Sequence, residues 1–104
     1  MVIIFENEKA RNHLLKESFV FTFRKKKRKR TGNDWMTNMR GGFKVADVDI
    51  EEIGCWTGMA WLSILKSFVE HSGFSTEGEW LVEIVKLNKG LMPKKGWIYG
   101  VRLR

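Results

Sequence analysis

Phe19-Val20-Phe21-Thr22-Phe23-Arg24 runs without a break into Lys25-Lys26-Lys27-Arg28-Lys29-Arg30. The first half alternates, with Phe19, Phe21 and Phe23 on one side and Val20, Thr22 and Arg24 on the other. That two-residue period is the mark of a pleated strand, and aromatic and β-branched residues suit its surface. The phenylalanine side belongs to the core. The other side grades from apolar Val20 to charged Arg24, so one end of it opens to water or a ligand. A strand prolonged through residues 25–30 would carry cations on both faces and could bury neither. The basic run therefore leaves the sheet as a loop or hairpin arm. The polar, glycine-punctuated segment up to Gly42 extends that connection over about residues 24–42, and connections of such length are commonly functional or disordered.

Charge points the same way. The chain holds 19 Lys and Arg against 12 Asp and Glu, a net +7. Without the seven cations of residues 24–30, 12 cations face 12 acids, so the whole excess sits in one segment. Adjacent like charges repel and gain nothing from burial, which directs them towards an anionic partner.

The other totals bound the class. A chain of 104 residues with 43% hydrophobic side chains, five Trp and seven Phe makes one domain with a real core. No apolar stretch approaches the roughly 20 residues of a membrane span, and Met1–Phe5 is too short for a signal peptide's apolar region. The single cysteine, Cys55, leaves no internal disulfide and fits a reducing, intracellular compartment; it reads as a small buried hydrophobe.

Around the central strand, residues 2–5 read as a short strand. Residues 6–17 read as a helix with Asn7 as its cap and Ala10, His13 and Leu14 at helical spacing. His13, taken as an isolated histidine at the edge of the packed face, is a poor metal ligand. Residues 43–50 alternate imperfectly, as at a bulge, and residues 53–62 read as a further strand bent at Gly54 and Gly58. A helix follows over 62–71. A second begins at Thr76, which has capping-box spacing to Glu79, with Phe74 and Trp80 stapling its start; it ends near Gly90. Residues 97–103 close the chain as a strand. The order implies an α+β fold, a small mixed β-barrel with about three flanking helices.

Thr22-Phe23-Arg24, Val45-Ala46-Asp47-Val48-Asp49, Gly73-Phe74-Ser75-Thr76-Glu77-Gly78-Glu79-Trp80 and Ile98-Tyr99-Gly100-Val101-Arg102-Leu103 together resemble the ASCH branch of the PUA-like β-barrels. The resemblance spans most of the chain through short motifs, and it implies a barrel with a ligand cleft beside Thr22 and Arg24. Members similar to cytidine-derivative amidohydrolases carry a lysine just before the Thr-x-Arg motif. Here the matching residue is Phe19, so no amine is available for that chemistry.

The candidate contact surface is Thr22, Arg24, Lys25, Lys26, Lys27, Arg28, Lys29, Arg30, Asn33, Trp35, Arg40 and Lys44. The cations would meet phosphates. Trp35, in a polar setting, either offers a base a stacking surface or folds back to plug the barrel. Arg24 either reads a phosphate or base edge or pairs with Asp47 or Asp49. Asp47, Asp49 and Glu51 share one face of a regular strand and read as solvated, or as partners of the basic loop, more than as a metal cluster. The expectation is a non-catalytic nucleic-acid-binding domain, RNA before DNA, with no metal, cofactor or membrane partner. The alternatives are a hydrolase, either a ribonuclease or a nucleoside-derivative amidohydrolase, and a module that binds an acidic protein.

Overall fold

The computed structural model describes residues 2–5, 7–57, 61–91 and 93–104, with the side chain of Leu62 left aside. Five strands form one mixed sheet in the order β1-β3-β4-β5-β2: β1 (Val2–Ile4), β2 (Phe19–Arg24), β3 (Gly32–Thr37), β4 (Ala46–Thr57) and β5 (Lys95–Leu103). The β1–β3 pair is parallel and the other pairs are antiparallel. The sheet curls into a half-barrel, an α+β fold with three α-helices among the described residues: α1 (Glu8–Glu17), α2 (Trp61–Phe68) and α3 (Glu77–Leu87). No helix among the described residues is long and apolar enough to cross a membrane.

Alternation along the strands builds two cores. On the inner side Ile3, Val20, Met36, Val48, Ile50, Tyr99 and Val101, drawn from all five strands, meet Phe5 and Ala10 and Leu14 of α1. On the outer side Ile98, with Phe21, Phe23 and Trp56, lies under α2 and α3 through Leu65, Phe74, Trp80 and Ile84. The phenylalanine side of β2 is thus covered by helices but only partly buried, and the deeper burial falls on Val20 and Thr22.

Each helix starts and stops for a local reason. The Asn7 side chain accepts a hydrogen bond from the Ala10 N–H, satisfying an orphan amide of the first turn of α1. Ser18 ends α1 in the left-handed region at φ 66°, its N–H donating to Leu14 O. Thr76 caps α3 by accepting from the Glu79 N–H at 3.1 Å. Phe74 and Trp80 stack with centroids 6.4 Å apart and rings 11° from parallel. The Glu79 carboxylate turns to Lys9 of α1 and ties the two helices together. Gly73 serves close approach: at φ +90°, a Cβ there would stand 2.5 Å from Lys9 O.

Three expectations give way. The long connection is interrupted by β3, so Trp35 lies in a strand and not in a loop. The two strands read from residues 43–50 and 53–62 are one, β4, starting at Ala46 and carrying its register shift between Glu52 and Gly54; Gly58 lies outside the described residues. Cys55 is exposed instead of buried.

Candidate functional site

The basic run, expected to project, is a strap lying across the inner side of the sheet. The Arg28 N–H donates to the Tyr99 hydroxyl at 2.7 Å, and Tyr99 points into the inner core with no exposed surface. The Arg28 guanidinium pairs with Asp34 at 2.8 Å, the side chains only 12% and 7% exposed. Asp34 stands on β3 opposite buried Val48, and its other oxygen accepts the Trp35 N–H at 2.9 Å. Arg28 is thus turned inward and its charge is met inside the fold. Lys26, Lys27, Lys29 and Arg30 stay exposed. Burial raises the Tyr99 pKa above its usual 10, with the Arg28 N–H acting in the opposite sense.

Where the strap begins, the half-barrel leaves a seam between its edge strands β1 and β2. Arg24 bridges it. Its Nη2 donates to Ile4 O at 2.9 Å and its guanidinium lies over the Phe5 ring, 5.1 Å from the centroid. Neither Asp47 nor Asp49 is its partner in these contacts. A pocket of about 310 Å³ opens beside this bridge, at the lower end of the roughly 300–1,000 Å³ typical of small-molecule sites. Ile4, Phe21, Phe23, Phe74 and Trp80 supply apolar wall; Thr22, Arg24, Lys25 and Arg40 supply the polar and cationic part, with Glu83 as the acid and Asn7 and Asn88 as amides. Lys25 reaches Asn88 Oδ1 at 3.1 Å, joining the first residue of the strap to the end of α3.

Four of the expected residues, Thr22, Arg24, Lys25 and Arg40, therefore converge on one pocket, continuous with the exposed cations of the strap. The other eight, Lys26 to Arg30 with Asn33, Trp35 and Lys44, do not line it. Asn33 is exposed on β3 opposite Asp49, and half-buried Trp35 stands between Val2 and Asp47. That is the outer face, so the indole does not plug the barrel. Lys44 pairs with Asp47 at 2.9 Å, and this hydrogen bond holds the Asp47 carboxyl below its ordinary range. Asp47, Asp49 and Glu51 are exposed on that outer face as a regular strand requires. The contribution of α3 to the pocket was missed, although Trp80, Ile84 and Leu87 recur at helical spacing.

Among the described residues no group of three or more His, Cys, Asp or Glu side chains is gathered to hold a metal. His13 nevertheless has a companion: its Nε2 lies 3.3 Å from Nδ1 of His71. Burial, then the His71 charge, lowers the His13 pKa, while Glu17 acts to raise it.

The chain matches no protein-family model, and comparisons with curated proteins and with solved structures found no counterpart.

Proposed function

We propose that the protein is a PUA-like domain that binds nucleic acid, RNA before DNA, without cleaving it. The observation that carries this reading is the continuity between the exposed cations Lys26, Lys27, Lys29 and Arg30 and the pocket lined by Thr22, Arg24, Lys25 and Arg40. Phosphates follow the strap, which supplies charge without sequence information. The pocket receives one unstacked base between apolar walls, with Arg24, Arg40, Glu83 and the two asparagines offering partners to its edges. An accessible base is a property of single strands and loops, which favours RNA over duplex DNA. The likeness of Thr22-Phe23-Arg24 to the ASCH pattern supports the same reading, and Phe19 in place of the lysine supports binding over catalysis.

The test is a titration of labelled single-stranded RNA and of duplex DNA with the purified chain at low salt, the RNA then run on a denaturing gel. Binding of intact RNA, tighter than of the duplex, supports the proposal. Cleaved RNA turns it to the hydrolase alternative. No binding of either nucleic acid at low salt removes it.

A further inference from the structure

His13 and His71 are far apart in sequence and adjacent in space, one on α1 and the other closing the short 3-10 turn Val69–His71 that follows α2. Their facing nitrogens are 3.3 Å apart, with ring centroids at 5.5 Å and ring planes 66° apart. Two neutral imidazoles can share one hydrogen bond at that distance. It is equally the distance between two nitrogens on one tetrahedral ion: with metal–nitrogen bonds of about 2.0–2.1 Å the ligating atoms stand about 3.3–3.4 Å apart. The rings are held in place before any ion arrives. His71 packs edge-on against Phe19 and Phe21, at centroid distances of 5.8 and 6.5 Å, and His13 is fixed by the helix that carries it.

We propose that His13 and His71 form a two-imidazole site for a late first-row divalent cation such as Zn²⁺. Glu17 is a candidate for a third ligand. It lies one helical turn beyond His13 on the same face of α1 and is exposed. Water completes the shell. Lys16 is the neighbouring cation that opposes binding. The ion would fasten α1 to the segment between α2 and α3, which α1 also meets at Gly73 and through Lys9 over the Phe74 ring.

The chain contains only these two histidines, so every imidazole signal in a proton–carbon NMR spectrum reports on the site. Chelator-treated protein is titrated with Zn²⁺ and followed by NMR and by calorimetry. The expected result is one ion per chain, both imidazoles shifting together, and at least a tenfold loss of affinity in His13→Gln and in His71→Gln. Glu17→Gln loses less, about threefold. Imidazole signals that stay unmoved in the wild-type chain would overturn the proposal, whatever the variants do. So would one-to-one binding of equal strength in both histidine variants, which would put the ion elsewhere, for instance at the exposed thiol of Cys55.

Discussion

Replacing Asp34 by Asn tests whether the basic strap is docked on the sheet. The substitution keeps an oxygen for the Trp35 N–H and changes no volume, but it removes the charge that faces Arg28 at 2.8 Å. A guanidinium does not shed its proton in a protein, so Arg28 must stay charged in a nearly dry site or swing into water and pull the strap away from Tyr99. Removing one partner of a buried ion pair costs about 3–5 kcal/mol. Arg28 retains 12% exposure, which places the effect near the lower end, about 3 kcal/mol. At about 4 °C per kcal/mol for a domain of this length, Tm should fall by about 12 °C. Urea denaturation monitored by Trp fluorescence supplies the free energies, and limited trypsin digestion reports whether residues 25–30 have become accessible. Arg28→Met should cost a similar amount, and Arg28→Met with Asp34→Asn should be more stable than either alone, because no charge is then left uncompensated. A loss below about 1 kcal/mol for Asp34→Asn, the value of an exposed pair, would refute the docked strap.

Other perturbations address the fold around it. Ser18→Gly should stabilise the chain by about 0.5–1 kcal/mol in the same denaturation assay, since glycine adopts the left-handed conformation at φ 66° without steric cost; an unchanged midpoint would deny that Ser18 is strained. Gly96→Ala should destabilise by about 2–3 kcal/mol, because the added methyl would lie 2.2 Å from two ring carbons of Phe23; a loss below about 0.5 kcal/mol would contradict the close packing of β5 on that ring. Tyr99 is the chain's one tyrosine, so phenolate absorbance titrates it alone. The folded pKa is raised above 10, so its contribution to stability is complete below pH 10 and is lost as pH rises beyond that value towards the folded pKa. A midpoint at or below 10 in the native protein would contradict its burial.

The parts of the fold that local rules govern were readable in advance. Asn7 and Thr76 are caps because a short polar side chain before an apolar period accepts from free amides, and both do so. The alternation of Phe19 to Arg24 marks a strand because each of its faces meets a different environment. Strand β3 is not legible in the sequence because Gly-Asn-Asp-Trp-Met-Thr shows no alternation and has one β-branched residue, Thr37, at its end. Its pairing with β1 on one side and β4 on the other overrides weak propensity. β4 reads as two segments because Glu51 and Glu52 put charge on both sides of the strand and the register shift that follows breaks the period. Within the site, the run of cations was evident but its inward member was not. Arg28 differs from its neighbours only by where Tyr99 and Asp34 stand, which no local pattern records. The His13–His71 pair is invisible for the same reason, as it arises from the packing of α1 against a distant turn.

The salt dependence of RNA binding decides whether the strap is the phosphate-binding surface. Each phosphate neutralised on a single strand contributes about 0.7 to the slope of log affinity against log salt concentration. The variant with Lys26, Lys27, Lys29 and Arg30 all replaced by Gln keeps Arg28 and its internal contacts. It should melt as the wild-type chain does and show a slope shallower by about 2.8. An unchanged slope in that variant, with the fold intact, would contradict the assignment of the strap as the phosphate-binding surface.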